Sequence, residues 1–259
     1  MVDAASLAFA PASLSVLLGP NGSGKSTLLG ALARQLPARG GAVLLHGRDI
    51  HNLPARALAR QLGLLPQAPL LPESMTVLDL VSFGRHPHQG WLRQWSEADS
   101  AAVEHAMRLT GTLDYAARAV DSLSGGQRQR CWIAMALAQQ TDVILLDEPT
   151  TYLDLRYQVE VMDLLHALAH EHGRTLVAVL HDLNFAMAYA DQLVLLKDGR
   201  VRACLDDVAA CTPELVQDVF EVKVAALPGL HGGRPLFVPR GHLRRPGPDE
   251  HVDAPHRHG

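Results

Sequence analysis

The nine residues "GPNGSGKST" constrain the fold of this chain more than any other part of the sequence. They fit the pattern G-x-x-x-x-G-K-[ST] in full. Glycines let the backbone approach a phosphate chain, backbone N–H groups and the lysine contact the phosphate oxygens, and the serine hydroxyl ligates Mg²⁺. The residues predicted to bind nucleotide phosphates are Gly19, Pro20, Asn21, Gly22, Ser23, Gly24, Lys25, Ser26 and Thr27.

The phosphate loop is one of three places where a short apolar run ends at a residue able to do chemistry. The runs cover residues 14–18, 143–146 and 175–180, and they are followed by Gly19, Asp147 and His181 respectively. Short runs of this kind suit strands buried on both faces of a parallel sheet. Because ligands bind beyond the carboxyl ends of strands in open α/β sheets, the three ends predict one nucleotide-binding edge.

The acidic pair after the second run is predicted to hold a metal ion and to activate water. Asp147 is placed to bind Mg²⁺, directly or through water, and Glu148 can orient and deprotonate the attacking water. Alone, such a pair is more often two surface acids after a core strand, but the complete phosphate loop weakens that interpretation. His181 is predicted to contact the γ-phosphate because its strand is the natural neighbour of the Asp147 strand. Gln67 in "LGLLPQAP" is the weakest candidate, since any loop can contain a glutamine.

A second helix start with the properties of a phosphate site lies about a hundred residues further along. The stretch "LSGGQRQRCW" offers a serine cap at Ser124, two glycines, and polar or basic residues before any apolar face appears. Exposed N–H groups and the positive end of the helix dipole make such a start an anion site. The chain therefore contains two predicted phosphate sites that are far apart in sequence.

Composition and charge argue against several other classes of protein. The 259 residues are 47% hydrophobic and 19% charged with a formal net charge of −4, so we expect one large or two small globular domains without a basic face for nucleic acid. Aromatic residues make up only 5%, which is low for a base-stacking surface. The three cysteines fit neither a disulfide framework nor a four-ligand zinc site, and we interpret them as reduced packing residues. No signal-peptide pattern or run of eighteen apolar residues appears, so we expect another chain to span any membrane involved.

The stretches between the chemical motifs predict helices and one short strand with a turn. Residues 96–99 resemble a capping box for a helix that ends near residue 111. Residues 41–50 predict a short strand and turn at an antiparallel edge. A further helix is predicted to pack into the core through a stripe of Leu155, Val159, Met162 and Leu165.

The chain is predicted to form one domain with an insertion and a tail. The domain covers residues 1–240, and about residues 71–122 form a mostly helical insertion between the first and second chemical motifs. Residues 241–259 are rich in proline, histidine and arginine, which is poor material for a core, and they are predicted to be disordered. Metal binding by the tail histidines is the alternative to a solvated tail, which is the preferred interpretation.

Taken together, the motifs resemble those of an ABC transporter ATPase subunit. The phosphate loop, Gln67, "LSGGQ", "VILLDE", "TTYLDL" and His181 occur in the order and approximate spacing of that family, over about residues 14–202. The pentapeptide "LSGGQ" is highly specific to it. The stretches "SGGQRQRCWIAMALAQ", "DEPTTYLDL" and "HDLNFAMAYAD" are similar to subunits of importers for ferric siderophores, haem and vitamin B12, and "GRHPHQGW" favours the siderophore branch.

The resemblance implies an α/β ABC ATPase fold: a mainly parallel RecA-like core sheet, an antiparallel β edge and a helical insertion subdomain. It implies ATP and Mg²⁺ as ligands, with Ser26, Gln67 and Asp147 around the metal, Glu148 as general base and His181 at the γ-phosphate. Two copies are expected to face each other head to tail, so that each chain supplies half of each of two sites. The residues expected to reach the partner copy are Ser124, Gly125, Gly126, Gln127 and Asp154.

The same resemblance implies partners and a location. We expect a separate membrane permease, whose coupling helix contacts the insertion that begins at Gln67, and indirectly a periplasmic or lipoprotein substrate-binding protein. The chain is expected at the cytoplasmic face of the bacterial inner membrane as a peripheral subunit. One alternative is a non-transport ABC ATPase for DNA repair or iron–sulfur assembly; the lack of a coiled-coil insertion and a basic groove argues against the DNA version. Another is an inactive ATP-dependent clamp, against which the intact catalytic motifs argue.

The start of the chain departs from the family pattern. Related ATPases usually begin with an extra strand and an aromatic residue that stacks on adenine, whereas only eighteen residues precede Gly19 here, with Phe9 as their sole aromatic. Strand geometry favours Phe9 as a core residue rather than an adenine platform. Either the true start lies upstream or ATP is held chiefly by its phosphates, and in the second case ATP and GTP are expected to bind similarly.

Overall fold

The computed structural model of the chain describes residues 2–3, 5–67, 74–90, 95–229 and 233–242. The strands are β1 (Leu14–Leu18), β2 (Leu44–Leu45), β3 (Arg48–Asp49), β4 (Leu62–Leu65), β5 (Val143–Asp147), β6 (Thr175–Val179), β7 (Gln192–Lys197), β8 (Arg200–Leu205), β9 (Val222–Leu227) and β10 (Leu236–His242). The α-helices are α1 (Lys25–Leu32), α2 (Ala55–Ala59), α3 (Val77–Phe83), α4 (Glu97–Leu109), α5 (Gly125–Ala138), α6 (Leu155–His170), α7 (Leu183–Tyr189) and α8 (Pro213–Phe220). None of the helices in these ranges is long and apolar enough to cross a bilayer.

A six-stranded sheet in the order β4-β5-β6-β1-β7-β8 forms the centre of the fold. The first five strands in this order are parallel, and β8 joins β7 in the antiparallel sense. The predicted fold class, a mainly parallel sheet with an antiparallel edge, is therefore confirmed. The strands β1, β6 and β5 are consecutive neighbours, so the ends of the three apolar runs meet at one edge of the sheet.

Apolar side chains cover both faces of the central strands. On β1, Val16 and Leu18 belong to the large core cluster on one face, while Leu17 belongs to a second cluster on the other. The second cluster contains Leu28 of α1. Phe9 is half-buried against this second cluster, which agrees with its predicted packing role. Strands buried on both faces read as continuous apolar runs, which is why the sequence pattern located them well.

Two smaller antiparallel sheets accompany the main one. Residues 41–50 predict one short strand and a turn at an antiparallel edge. The structure has two short strands there, β2 and β3, which in the described part of the chain pair with each other rather than with the main sheet. The strands β9 and β10 form the second hairpin. Phe237 of β10 is buried in the large core, and the Asn184 side chain of α7 bonds both its N–H and its carbonyl oxygen at 2.9 and 3.1 Å.

In its described residues, the segment between β4 and α5 carries α3, α4 and three short 3₁₀ turns. As predicted, Ser96 begins α4 with a capping box in which Asp99 is the return partner. Residues 71–73 and 91–94 of the predicted insertion lie outside the described residues, as do residues 243–259 of the predicted tail. The boundaries of the insertion and the disorder of the tail therefore remain predictions.

The predicted core stripe of α6 is wrong for its first half. Met162 and Leu165 are fully buried, but Leu155 is 69% exposed and Val159 is 36% exposed. The helix follows β5, so it starts at the carboxyl edge of the sheet and its first turns lie at the end of the sheet rather than over it. A helical repeat marks one face of a helix but does not tell how much of that face reaches the core.

An ion pair is buried inside the insertion. Arg85 follows α3 and is 3% exposed, while Asp99 in the first turn of α4 is 0% exposed. Arg85 Nε donates to Asp99 Oδ1 at 2.9 Å, and Ser96 Oγ donates to Asp99 Oδ2 at 2.6 Å. Hydrogen bonds from Ser96 and Arg85 lower the pKa of Asp99 to about 2. A carboxylate with a lowered pKa stabilises the fold above its unfolded-state pKa, and this contribution is lost as pH falls toward the folded value.

We therefore expect Asp99→Asn to destabilise the protein at neutral pH by at least about 2 kcal/mol, because the variant leaves the Arg85 guanidinium buried without its counter-charge. Urea unfolding between pH 7 and pH 2 measures the effect. The difference in unfolding free energy between wild type and variant should be constant above about pH 5 and shrink as pH falls toward 2. Asp114→Asn, at an exposed position of the same insertion, is the control. If the difference in unfolding free energy between wild type and Asp99→Asn does not change with pH, the lowered pKa of Asp99 is contradicted.

Candidate nucleotide-binding site

The phosphate loop runs from the end of β1 to the start of α1. Gly19 has a φ of +155° and packs against β7 so closely that an added Cβ would lie 2.1 Å from the carbonyl oxygen of Leu196. Gly24, the residue before α1, has a φ of +102°. A side chain at either position would force the backbone out of this shape, so the loop requires glycine there.

Lys25 is held inside the loop and is only 6% exposed. Its Nζ donates to the carbonyl oxygens of Gly19 at 2.8 Å and Pro20 at 3.0 Å. Burial lowers the pKa of Lys25, while the charges of Glu148 and Asp147 oppose that shift. A buried ammonium bonded to neutral carbonyls is stabilised by any anion that enters the loop, which is what a phosphate chain supplies.

Ser26 and Asp147 form the oxygen-rich corner of the site. Ser26 Oγ, in the first turn of α1, donates to Asp147 Oδ1 at the end of β5 across 3.1 Å. Burial raises the pKa of Asp147, and the hydrogen bond from Ser26 acts in the opposite direction. A hydroxyl and a partly desolvated carboxylate are oxygen donors of the kind that Mg²⁺ prefers, so the residues present fit this ion.

Three side chains converge on Glu148. Gln67 Nε2 donates to Glu148 Oε2 at 2.6 Å, and Thr151 Oγ1 donates to the same oxygen at 3.0 Å. His181 Nε2 lies 2.6 Å from Glu148 Oε1. The backbone of Glu148 has a φ of +54°, a left-handed conformation that costs energy for a non-glycine residue and occurs often at active sites. The carboxylate is therefore held in one orientation beside the loop.

A hollow of about 200 Å³ lies over the loop. It is lined by Asn21, Gly22, Gly24, Lys25, Ser26, Thr27, Glu148 and His181. The structure thus brings together the phosphate loop, the acidic pair and His181, which the sequence placed at three strand ends, with Gln67, which follows a fourth strand, β4. Inside the loop, Ser23 Oγ is buried and has no hydrogen-bond partner among the described residues.

Thr151 is the residue of this site that sequence reasoning missed. It stands three positions after Glu148 in "DEPTT", within reach for a turn that folds its hydroxyl back onto the carboxylate. Only that spacing pointed to it. Its hydrogen bond adds a third contact to the proposed base.

The second predicted phosphate site is separate from the first. Ser124 caps α5 and is exposed; its Oγ accepts from Gln127 N at 3.3 Å, and Gln127 Oε1 accepts from Ser124 N at 3.1 Å. Asp154 is the exposed cap of α6 and accepts from Tyr157 N at 3.1 Å. In the described part of the chain, no hydrogen bond or ion pair joins Ser124 or Asp154 to the phosphate loop.

Close packing fixes the start of α5 against α6. An added Cβ on Gly126 would lie 2.3 Å from the ring of Tyr157, and one on Gly125 would lie 3.4 Å from Leu153 Cδ2. The absence of a side chain on Gly126 therefore allows the two helix starts to meet, whereas a Cβ on Gly125 would make an ordinary van der Waals contact.

Comparison with known proteins agrees with this geometry. The family model described as ABC transporter matches residues 2–151. The chain is 51% identical over 244 residues to the probable siderophore transport system ATP-binding protein YusV of Bacillus subtilis, covering 94% of this chain and 89% of that protein. It is 52% identical over 228 residues to the achromobactin transport ATP-binding protein CbrD of Dickeya dadantii, covering 88% of this chain and 85% of that protein.

The fold is also shared with a solved structure, a dimeric ATP-binding cassette in a post-hydrolysis state bound to ADP and inorganic phosphate. The TM-score is 0.66 at 29% sequence identity, covering 77% of this chain and 87% of that one. The family model spans more than half of the chain, and the two relatives are matched over most of their length. This chain therefore belongs to the ABC transporter family of ATP-binding proteins.

Proposed function

We propose that this chain is the ATP-hydrolysing subunit of an importer that takes up iron–siderophore complexes through a separate membrane permease. The observation that carries the hydrolytic part is the convergence of Gln67, Thr151 and His181 on Glu148, beside a complete phosphate loop. A carboxylate held this firmly next to a phosphate site is suited to act as a general base on water.

The residues divide the proposed reaction between them. Lys25 and the loop N–H groups bind the β- and γ-phosphates, and Ser26, Asp147 and Gln67 would hold Mg²⁺, which neutralises charge on the phosphate oxygens. The oxygen of a water attacks the γ-phosphorus while the bond to the bridging oxygen of ADP breaks. Glu148 accepts the proton, and the products are ADP and inorganic phosphate. The Gln67 amide donates to Glu148 through Nε2, so its oxygen remains the atom suited to a metal.

Completion of the site by a second copy is part of the proposal. Ser124, the cap of α5, is exposed, and in the described residues no hydrogen bond joins it to the phosphate loop of its own chain. The N–H groups at a helix start nevertheless favour anions. In the proposed head-to-tail dimer, Ser124, Gly125, Gly126 and Gln127 contact the γ-phosphate held by the partner's loop, and Asp154 lies at the interface. The similar solved cassette is itself a dimer, which supports this arrangement.

The transported cargo is proposed from the relatives. One is named for siderophore transport and the other for achromobactin transport, which supports iron–siderophore uptake over haem or vitamin B12. Both are transport proteins, which also supports an importer over DNA repair or iron–sulfur assembly. Because these relatives are transport proteins, we also propose that this chain works with a membrane permease and a substrate-binding protein. We place it at the cytoplasmic face of the membrane for the same reason.

Glu148→Gln is expected to bind MgATP normally while turnover falls by about 10²–10⁴-fold, since the amide keeps hydrogen bonds but cannot accept the proton. Phosphate release and nucleotide titration on the pure protein measure the two effects. Glu171→Gln, an exposed change at the end of α6, is the control. Near-normal hydrolysis by Glu148→Gln would refute the assignment.

Ser124→Arg is expected to abolish hydrolysis without weakening nucleotide binding to the variant's own loop. Lys25→Ala should abolish hydrolysis by removing the loop lysine. In a mixed dimer, the intact loop of the first chain meets the intact α5 of the second, so mixing the two inactive variants should restore at most one working site per dimer. Full activity of Ser124→Arg alone would contradict the composite site.

Loss of this chain is expected to abolish growth on ferric siderophores under iron limitation, and wild type but not Lys25→Ala should restore it. Growth on haem and cobalamin-dependent growth are measured in parallel and should be unaffected. Restored cobalamin use without siderophore use would overturn the cargo assignment. Co-purification with a multi-span membrane protein tests the permease.

A further inference from the structure

Residues 84–88, which follow α3 and include a short 3₁₀ turn, form a junction between three parts of the molecule. We call them the junction segment. It contacts the C-terminal end of α5, the N-terminal end of α4 and the helix α2. The nucleotide site uses none of these residues, and the buried charge of Arg85 in this segment calls for an explanation.

The contacts with α5 are the closest. Gly84 leaves no room for a side chain, because an added Cβ would lie 2.1 Å from the carbonyl oxygen of Met135. Arg85 Nη1 donates to the carbonyl oxygen of Ala138 at 2.7 Å and to Gln140 Oε1 at 2.8 Å. The last carbonyls of a helix lack partners within it and carry the negative end of its dipole. The guanidinium therefore stabilises the end of α5 through both its hydrogen bonds and its charge.

The same guanidinium holds the start of α4. Its Nε donates to Asp99, which in turn accepts from the backbone N–H of Ser96 at 3.0 Å and from the Ser96 hydroxyl. One planar group thus joins the last turn of α5 to the first turn of α4, a task for which its fixed fork of donors is suited and a lysine ammonium is not.

The junction segment also contacts α2 and the residue that follows it, just before β4. Arg56 of α2 and Arg60 just after it each donate through Nε to the carbonyl oxygen of Pro87 at 2.9 Å. The strand β4 follows this helix and leads directly to Gln67. The junction segment therefore connects α2, which precedes β4 and Gln67, with the C-terminal end of α5, the helix whose N-terminal end is capped by Ser124.

We propose that Arg85 is a positioning residue for ATP hydrolysis, which fixes the C-terminal end of α5 and so sets where its N-terminal end presents Ser124 to the nucleotide on a second copy of this chain. The inference rests on the composite site proposed above. The helix α5 has 14 residues and is about 21 Å long, so a tilt of about 5° at one end moves the other by about 2 Å. A displacement of about 1 Å in a reacting constellation can reduce a rate by about 10²-fold.

Stability alone does not account for the ion pair. Replacing a buried pair with apolar side chains of similar volume is often neutral or stabilising. The double variant Arg85→Met/Asp99→Leu removes both charges together with the link to Ala138, so it separates folding from positioning. The matched control is Arg108→Met/Glu104→Leu, which removes the exposed ion pair on the surface of the same helix, α4.

The first measurement separates nucleotide binding from turnover. The Arg85→Met/Asp99→Leu protein is expected to remain folded with a cooperative melting transition, although loss of the hydrogen bonds to Ala138 and Ser96 lowers its melting temperature. It should bind MgATP with a Kd within about twofold of wild type, while kcat falls by about 10- to 100-fold. The surface double variant Arg108→Met/Glu104→Leu should match wild type in melting temperature, in Kd for MgATP and in kcat. A wild-type kcat in folded Arg85→Met/Asp99→Leu would overturn the proposal. If that protein does not fold, Arg85→Lys, which keeps a charge beside Asp99, is measured instead, and a wild-type kcat there would overturn it equally.

The second measurement asks which half of the site is damaged. Mixing the Arg85 variant with Lys25→Ala should raise activity several-fold above either protein alone, because the variant's loop then works with an intact α5. If the variant had lost activity because its whole fold was damaged, mixing would not restore hydrolysis. Failure of mixing to restore hydrolysis would therefore overturn the proposal. Ser124→Arg mixed with Lys25→Ala is run beside it. If that pair also fails, the composite site itself is wrong; if only the Arg85 pair fails, the composite site stands and the role of Arg85 does not.

Discussion

The parallel pairing of β1 with β6 and of β6 with β5 is the constraint on which the site depends. In register, Leu17 stands beside Val179, and Val179 stands beside Asp147. Neighbouring strands are about 4.8 Å apart, so the end of β1 and the end of β5 are separated by about 10 Å. The first turn of α1 covers that gap, which is why the Ser26 hydroxyl reaches Asp147. A slip of one residue in either pairing would break this contact.

The electrostatics of the site favour both parts of its proposed substrate. Burial disfavours the charged forms of Lys25 and of Asp147, as the directions of their pKa shifts indicate. A phosphate chain beside the first and a divalent cation beside the second offset that cost, so MgATP stabilises both groups at once. Glu148 differs because three side chains hold it, which supports its proposed role as the base that accepts a proton from water.

The helix α5 connects the chemistry to the rest of the molecule. At its start, the absence of a side chain on Gly126 lets the ring of Tyr157 pack directly against the backbone. At its end, Arg85 joins it to α4, and the junction segment joins it to the element before Gln67. A helix is stiff along its axis, so contacts at both ends determine where the exposed Ser124 is presented.

The sequence by itself determined the local parts. The phosphate loop, the three apolar strands, the capped starts at Ser96 and Ser124 and a short strand with a turn over residues 41–50 were predicted, because each depends on neighbours within a few residues. The strands predicted a parallel sheet, and the family resemblance implied the antiparallel edge. The motif order identified the family.

Only the tertiary structure decided how distant parts meet. Gln67 and His181 reach Glu148 from elements far away in the chain. The exposure of Leu155 and Val159 and the link from Arg85 to α5 likewise depend on packing between separate elements. A helical stripe is the same in sequence whether its first turn lies over the sheet or beyond its edge. Likewise, an arginine in a loop has the same sequence signal whether it is solvated or buried. Periodicity and motif spacing report local geometry, whereas burial is set by what the rest of the chain places on top.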